Sequence, residues 1–121
     1  MKYTDMENIV AQCAAACGCE ATYFKAKEED GALVPDLPKL PAITYVFPET
    51  AAFYADGVPY CSIVSVEIYL YTQKKDFSLE KKIMDTLKAN GIGYTRTESY
   101  ITGEEMYEIQ FTTEEILRDE D

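Results

Sequence analysis

The 121 residues of this chain include 22 acidic and 11 basic side chains, giving a net charge of −11, and no histidine. This charge excludes a surface built for nucleic acid or an anionic membrane, both of which are bound through lysine and arginine, and the commonest general base is absent. Hydrophobic residues make up 47% of the sequence, so we expect one globular domain spanning residues 1–121.

The first predicted element is a helix over residues 4–16, in which apolar residues recur at helical spacing. Thr4 and Glu7 have the spacing of a capping box, in which a hydroxyl and a carboxylate satisfy opposite backbone N–H groups. Gly18 follows as a typical helix stop. The amino-terminal part of the chain therefore begins with one amphipathic helix.

Three cysteines cluster at this helix and raise the question of a metal site. Cys13 and Cys17 are one helical turn apart, Cys19 follows, and Cys61 is available as a fourth thiolate. Common zinc sites use CxxC pairs, often with histidine, and this spacing differs from them. We therefore expect reduced, metal-free cysteines that pack as small hydrophobic side chains.

The sequence of residues 21–72 predicts four strands and one long loop. The strands are expected at residues 21–26, 42–47, 50–54 and 60–72. The loop is expected over Lys27–Leu40, which holds three consecutive acids, a glycine and two prolines. A loop this long is either a mobile surface segment or an arm that orders on a neighbouring subunit. Asp56-Gly57 indicates a tight hairpin turn.

The longest predicted strand, residues 60–72, has two chemically different faces because side chains alternate along a strand. One face is aliphatic and is predicted to meet a helix layer; it consists of Val64, Val66, Ile68 and Leu70. The other face is mixed, and we take four of its residues as candidate subunit-interface residues: Ser65, Glu67, Tyr69 and Tyr71. An ordinary solvated sheet face remains the alternative interpretation.

A second helix follows the long strand. Ser78 is the expected N-cap, and Asn90-Gly91 is the expected end, where glycine adopts the left-handed conformation. Ile83 and Leu87 lie on one side of this helix. We expect them to pack against Val66 and Ile68, since both aliphatic surfaces need a partner.

The chain ends in a predicted hairpin of strands at residues 94–101 and 106–112, followed by a short helical turn that begins at Thr113. The predicted order is α-β-β-β-β-α-β-β. Short connections favour antiparallel pairing. The fold class is therefore α+β, with two layers: a mostly antiparallel sheet and two helices on one of its faces.

Residues for catalysis are not apparent in the sequence. It contains none of the nucleotide-binding, nucleophile-elbow or metalloprotease motifs, and its carboxylates occur in runs typical of solvated loops. Hydrolysis through serine or cysteine requires a base that histidine usually supplies. We expect a protein that is not an enzyme and that binds no cofactor or metal.

Several short motifs between residues 41 and 112 resemble a known family. They are ITY at residues 43–45, ADG at residues 55–57 with Tyr60, LYT at residues 70–72, KKD at residues 74–76, Leu79-Glu80, and the aromatic and aliphatic positions Tyr94, Tyr100, Ile101, Tyr107, Ile109 and Phe111. This layout resembles the tail-terminator and head-to-tail joining proteins of long-tailed phages and prophages of Gram-positive bacteria. The segment YTQKKD…LE is its most specific part.

The resemblance implies a small α+β subunit that assembles into a six-fold ring at the head-proximal end of the tail tube. Its partners would be further copies of itself, the tail tube protein and head–tail connector proteins, without nucleic acid or membrane. It would be found in the bacterial cytoplasm during assembly and in the virion afterwards. The alternative from another class is a small α+β regulatory or ligand-binding domain without catalytic activity.

Overall fold

The computed structural model describes residues 3–37, 39–55 and 58–118, with backbone only at residues 29, 52–55, 58–61 and 116–118. The elements in chain order are α1 (Tyr3–Cys17), β1 (Ala21–Tyr23), β2 (Ala26–Glu29), β3 (Ala32–Pro35), β4 (Ala42–Ala55), β5 (Val58–Thr72), α2 (Phe77–Ala89), β6 (Thr95–Ile101) and β7 (Met106–Arg118). Five strands form a sheet in the order β1-β4-β5-β7-β6, and β2 and β3 form a separate two-stranded ribbon. All pairs are antiparallel except β1 with β4.

The hydrophobic core lies between the two helices and one face of this sheet, which confirms the predicted α+β class. Val64, Val66, Ile68 and Leu70 of β5 are completely buried in it, as their alternation predicted. From the helices, the core receives Met6, Ile9, Val10, Cys13, Ala14, Cys17, Ile83 and Leu87. Ile83 and Leu87 thus belong to the same cluster as Val66 and Ile68. This opposition of aliphatic faces fixes the helices to one side of the sheet.

Both ends of α2 are capped, but the N-cap differs from the predicted one. Asp76 is the N-cap, and its Oδ1 accepts a hydrogen bond of 3.1 Å from the backbone N–H of Leu79. Ser78 lies inside the first turn, so its prediction as the cap is wrong. The helix begins at Phe77, so Asp76 occupies the cap position and its carboxylate accepts the free N–H group of the first turn. Gly91 has φ of 72°, the left-handed conformation predicted for the helix end.

Strand β4 joins two strands that the sequence divided at Pro48. The β4–β5 register places Val46 opposite Glu67 and Glu49 opposite Ser65, so Phe47 and Pro48 together oppose a single β5 residue. This is a β-bulge, where proline is tolerated because the ladder is locally interrupted. The strand therefore bends at Pro48 and continues.

The predicted loop over Lys27–Leu40 contains strands β2 and β3, so most of that prediction is wrong. Asp30 and Gly31 connect them with φ of 51° and 80°, the positive values that a tight hairpin turn demands. Because β2 and β3 are added and the two strands predicted at residues 42–47 and 50–54 are joined in β4, five strands lie between the helices instead of four. The other Asp-Gly turn, at Asp56-Gly57, lies outside the described residues, and β4 and β5 pair on either side of it with Ala55 opposite Val58.

The predicted helical turn after Thr113 is also wrong, since β7 continues as a strand to Arg118. Residues 114–118 pair with residues 61–65 of the long strand β5. Backbone pairing with β5 outweighs the helical preference of glutamate, leucine and arginine in this segment. No helix among the described residues is long and apolar enough to cross a membrane.

Candidate interaction surface

The four candidate interface residues lie on the sheet face opposite the helices, which we call the outer face. Ser65, Glu67, Tyr69 and Tyr71 project from β5, the central strand of the sheet, and alternate with its buried aliphatic residues. Ser65, Glu67 and Tyr69 are partly exposed, whereas Tyr71 is completely buried. The structure therefore groups all four on one face but leaves Tyr71 no side-chain surface to offer a partner.

Tyr71 belongs to a covered end of the outer face. Its hydroxyl donates a hydrogen bond of 2.9 Å to Glu108 Oε2 on the neighbouring strand β7. Burial, followed by the negative charge of Glu108, raises the pKa of Tyr71 above its ordinary range. Thr44 and Met106, on the same face, are buried as well. Tyr71 thus acts as a neutral hydrogen-bond donor that ties β5 to β7.

Tyr69 connects this covered end to the exposed centre. Its ring stacks on that of Tyr71, with centroids 6.1 Å apart, and lies 5.8 Å from the Phe24 ring. Its hydroxyl donates a bond of 2.7 Å to Glu67 Oε1, and burial together with this bond raises the pKa of Tyr69. The Gln110 amide donates to the second oxygen of Glu67 at 3.2 Å. Glu67 is consequently held in place by two donors.

The exposed part of the outer face is acidic. Ser65 lies directly between Glu49 of β4 and Glu114 of β7 in the strand register, and both glutamates are exposed. A positioned carboxylate at Glu67, flanking glutamates and the partly exposed Tyr69 together offer hydrogen-bond acceptors beside an aromatic surface. Such a combination suits a protein partner with basic or N–H-rich groups, because tyrosine contributes contact area while carboxylates select charge.

An ionic cluster at the start of α2 was not foreseen from the sequence. Glu80 is 2% exposed, and its carboxylate pairs with both Lys75 and Arg96. These cations also contact Glu98, whose pKa is lowered by their hydrogen bonds. The Lys75 ammonium group additionally sits 4.6 Å from the centre of the Phe77 ring. The cluster binds the start of α2 to β6, so its role is structural.

Cys13 and Cys17 of α1 are buried free thiols, and Cys19, just after the helix, is a half-buried one. Burial is the main cause that raises the pKa of Cys13 to about 12 and that of Cys17 to about 11, and the pKa of Cys19 is raised as well. The Cys17 thiol points at the Leu79 carbonyl, 3.6 Å away. Within the described residues, no three metal-ligating side chains of histidine, cysteine, aspartate or glutamate converge. The Cys61 side chain lies outside the described part.

Comparison with known proteins does not place the chain in a family. A scan against protein-family models and a search of curated proteins both found no match. The case for a function therefore depends on the outer face and on the short motifs noted in the sequence.

Proposed function

We propose that this chain is a structural subunit of a ring at the head-proximal end of a phage tail, acting as a tail terminator or a head-to-tail joining protein. The observation that carries the assembly part of this proposal is the outer face, which no helix of the described chain covers and which presents Ser65, Glu67 and Tyr69 at its centre. The phage part is supported by the motifs between residues 41 and 112. In this role the chain is not an enzyme.

The motif residues support this proposal through the roles that they have in the fold. In the segment YTQKKD…LE, Asp76 caps α2, while Lys75 and Glu80 form the ionic cluster with Arg96. Leu70 and Tyr71 are completely buried at the carboxyl end of β5. The residues that carry the resemblance thus determine the architecture of the fold. This is expected if the shared role is structural, because a ring subunit depends on its shape and needs no catalytic groups.

The charge of the chain favours particular partners within a tail. With a net charge of −11 and an acidic outer face, the subunit would dock most readily on a basic surface of the tail tube protein or of a head–tail connector protein. Contact with the nucleic acid that passes through a tail would be repulsive. The acidic character thus suits a component that lets nucleic acid pass without binding it.

Deletion of the gene in a phage or inducible prophage that encodes this chain tests the proposal. Electron microscopy of the lysate should show tails of irregular length, or finished heads and tails that have not joined, and a plasmid copy of the gene should restore normal particles. Normal infectious particles from the deletion strain would remove the tail role. Such a result would favour the alternative, a small regulatory or ligand-binding domain.

A further inference from the structure

The two outermost strands of the sheet, β1 and β6, each have one backbone side without a partner strand. In the strand order β1-β4-β5-β7-β6, no strand of the described chain lies beyond either of them. Thr22 and Tyr23 of β1 are exposed, and every side chain of β6 is exposed or half-buried. Unpaired strand edges of this kind are templates for pairing with another chain.

The two edges lie at the same end of the sheet and at the same level. The registers of the four strand pairs from β1 to β6 place the three residues of β1 in the same rows across the sheet as residues 96–98 of β6. Tyr23 shares a row with Arg96, and Ala21 shares a row with Glu98. Strand β1 runs in the direction of β4 and β7, whereas β6 runs in the opposite direction. A sheet that continued from one copy into the next would therefore bring β6 and β1 together antiparallel.

The free backbone groups of the two edges have matching positions. In β1, the N–H group of Phe24 and the carbonyl of Glu20 bond to β4. The backbone groups of the alternate residues, Ala21 and Tyr23, consequently point away from β4. The same alternation, carried through β4, β5 and β7, leaves the backbone groups of residues 96, 98 and 100 on the free side of β6. Free groups on one edge would thus meet free groups on the other.

We propose that β6 of one copy pairs antiparallel with β1 of the next copy, with Arg96 opposite Tyr23 and Glu98 opposite Ala21, so that the sheet continues from subunit to subunit. This deepens the proposed ring function and rests on it. The contact joins two different surfaces of the same chain, so each copy keeps one edge for a further neighbour. Repetition of such a contact closes into a ring when the rotation between subunits allows it.

The pairing displaces no strand, because β1 and β6 make this end of the sheet its widest part. At the other end, the sheet consists of β4, β5 and β7 alone, since β1 pairs only with residues 43–45 and β6 only with residues 106–112. Residues 49–55 of one copy and residues 113–118 of the next would face each other across an open gap.

The side chains at both edges suit a protein contact. Three of the large side chains that the described chain exposes lie there, on the helix side of the sheet: Tyr23 (49% exposed), Tyr94 (36%) and Tyr100 (51%). Tyrosine and arginine are enriched at protein interfaces. In the proposed register the Tyr23 ring lies opposite Arg96, whose guanidinium group is held on the helix side by Glu80, and such a cation is attracted to an aromatic ring.

Pairing of like edges is the alternative. Two β6 strands could pair antiparallel with Thr97 at the centre, but this contact would end at a dimer and leave β1 unused. The unlike pair uses both edges and places Thr22 opposite Thr97 on the outer face, and opposed threonines stabilise antiparallel strands. It also places the small Ala21 beside Glu98, which leaves the Glu98 carboxylate to its own cations.

Disulfide trapping tests this register. Thr22 and Thr97 would form a non-hydrogen-bonded pair with Cα atoms about 4.5 Å apart, a separation that a disulfide spans. A mixture of the Thr22→Cys and Thr97→Cys proteins, oxidised mildly, should form a covalent dimer joined between positions 22 and 97, and the double variant should form a ladder of larger oligomers. Covalent capture suits a contact of few residues, which is weak singly. Both threonines are exposed, so both variants should fold.

Thr95→Cys is the matched control for Thr97→Cys. Thr95 is an exposed threonine two residues away on the same face of β6, and its diagonal distance of about 7–8 Å from position 22 is too long for ready bridging. The wild-type protein, with its own four cysteines, should form no covalent dimer, and peptide mass spectrometry identifies the joined positions. Absence of the 22–97 disulfide at about 1 mM protein, equal trapping by Thr95→Cys, or a dimer that Thr97→Cys forms with itself as readily would each overturn the inference.

Hydrogen–deuterium exchange of the wild-type protein provides a second measurement. As light scattering shows the mass rising above that of the 13.7 kDa monomer, amides in peptides covering residues 20–24 and 95–101 should exchange at least about tenfold more slowly. Peptides covering residues 113–118 should not change, since their free edge stays open. Oligomers with unchanged exchange at β1 and β6, or with protection of β6 alone, would overturn the pairing.

The two proposals fail in different ways. Oligomers that form without the 22–97 disulfide would overturn the strand pairing and leave the ring function standing, because another surface would then join the copies. The disulfide in the purified protein, together with normal particles from the gene-deletion strain, would overturn the tail function and leave the strand pairing in place.

Discussion

At the scale of single residues, Glu80 has the most distinctive environment. It is a buried carboxylate on α2 that receives hydrogen bonds from Arg96 of β6 and Lys75 of the preceding turn. The sequence shows these residues as ordinary surface charges, because their partners are separated along the chain and meet only when β6 folds beside α2. Buried charges require such partners, so the arrangement also fixes how α2 sits against the sheet.

The first prediction is that Glu80→Gln destabilises the protein while Asp85→Asn does not. Both substitutions neutralise a carboxylate of α2 that is paired with a lysine, but Glu80 is buried and Asp85 forms an exposed pair with Lys81. Loss of hydrogen bonds to charged groups should cost Glu80→Gln roughly 1.5–3 kcal/mol, compared with roughly 0.5 kcal/mol or less for Asp85→Asn. Urea unfolding measures both changes. Equal losses in the free energy of unfolding would show that the buried Glu80 contributes no more to stability than the exposed Asp85.

At the scale of elements, the sequence predicted the core elements well and the strand boundaries poorly. The helices and the two faces of β5 were predicted because periodicity reports directly which side of an element is buried. Proline predicts the end of a strand, so the sequence divides β4 in two, although a bulge accommodates Pro48 within one strand. The sequence predicts a helical turn at the end of β7, because the strand that pairs with it, the first half of β5, is distant in sequence.

The ribbon of β2 and β3 is not predicted from the sequence, although the sequence contains a hairpin signal between the two strands. Asp30-Gly31 is the same dipeptide that indicated a hairpin at residues 56 and 57, but neighbouring acids and prolines favoured a loop. The candidate surface was likewise predicted only in part. Alternation placed Tyr71 correctly on the outer face, yet its burial depends on contacts that strand periodicity does not reveal, among them the hydrogen bond to Glu108.

The second prediction concerns the contact between helix α2 and the sheet. Leu87→Ala should lower the free energy of unfolding by roughly 2–5 kcal/mol, because Leu87 is completely buried and its removal leaves a cavity. Leu33→Ala is the matched control: the same atoms are removed from β3, where Leu33 is 78% exposed, and the change should stay within about 0.5 kcal/mol. Similar denaturant midpoints for the two variants would contradict the core assignment.

At the scale of the whole molecule, three weakly acidic side chains, those of the buried Cys13 and Cys17 and the half-buried Tyr45, hold their protons more tightly in the folded chain. Burial is the first cause that raises the pKa of Cys13 and Tyr45 to about 12 and that of Cys17 to about 11. The ordinary pKa values are 9.0 for the thiols and 10.0 for tyrosine. Above these values the unfolded chain loses protons that the folded chain keeps, which favours unfolding.

The third prediction is therefore a loss of stability in alkali. The contribution of these groups is fully present below pH 9 and disappears as the pH rises through about 11 to 12, where the folded chain loses the same protons. Urea unfolding followed by circular dichroism at pH 8 and pH 10.5 measures the change. Cys13→Ala should make the pH dependence shallower, and a free energy of unfolding that is flat or rises over this range would contradict the prediction.

The last prediction tests whether the outer face contacts another protein in the assembled tail. Ser65→Lys places a long cationic side chain at the centre of this face, between Glu49 and Glu114, where the flanking carboxylates should accept it without loss of folding. The same lysine offsets part of the local negative charge that a basic partner would meet and adds bulk to the contact. A loss of about 1.4 kcal/mol weakens one contact tenfold, and a ring repeats that loss in every subunit.

In a phage that carries Ser65→Lys, we expect a subunit with the wild-type unfolding midpoint and a clear fall in infectious particles, with tails of irregular length or unjoined heads. Ser78→Lys is the control, since Ser78 is an exposed serine on α2, on the other side of the sheet, and the same change there should leave particle yield unaltered. Normal yield from Ser65→Lys would remove the outer face from the contact.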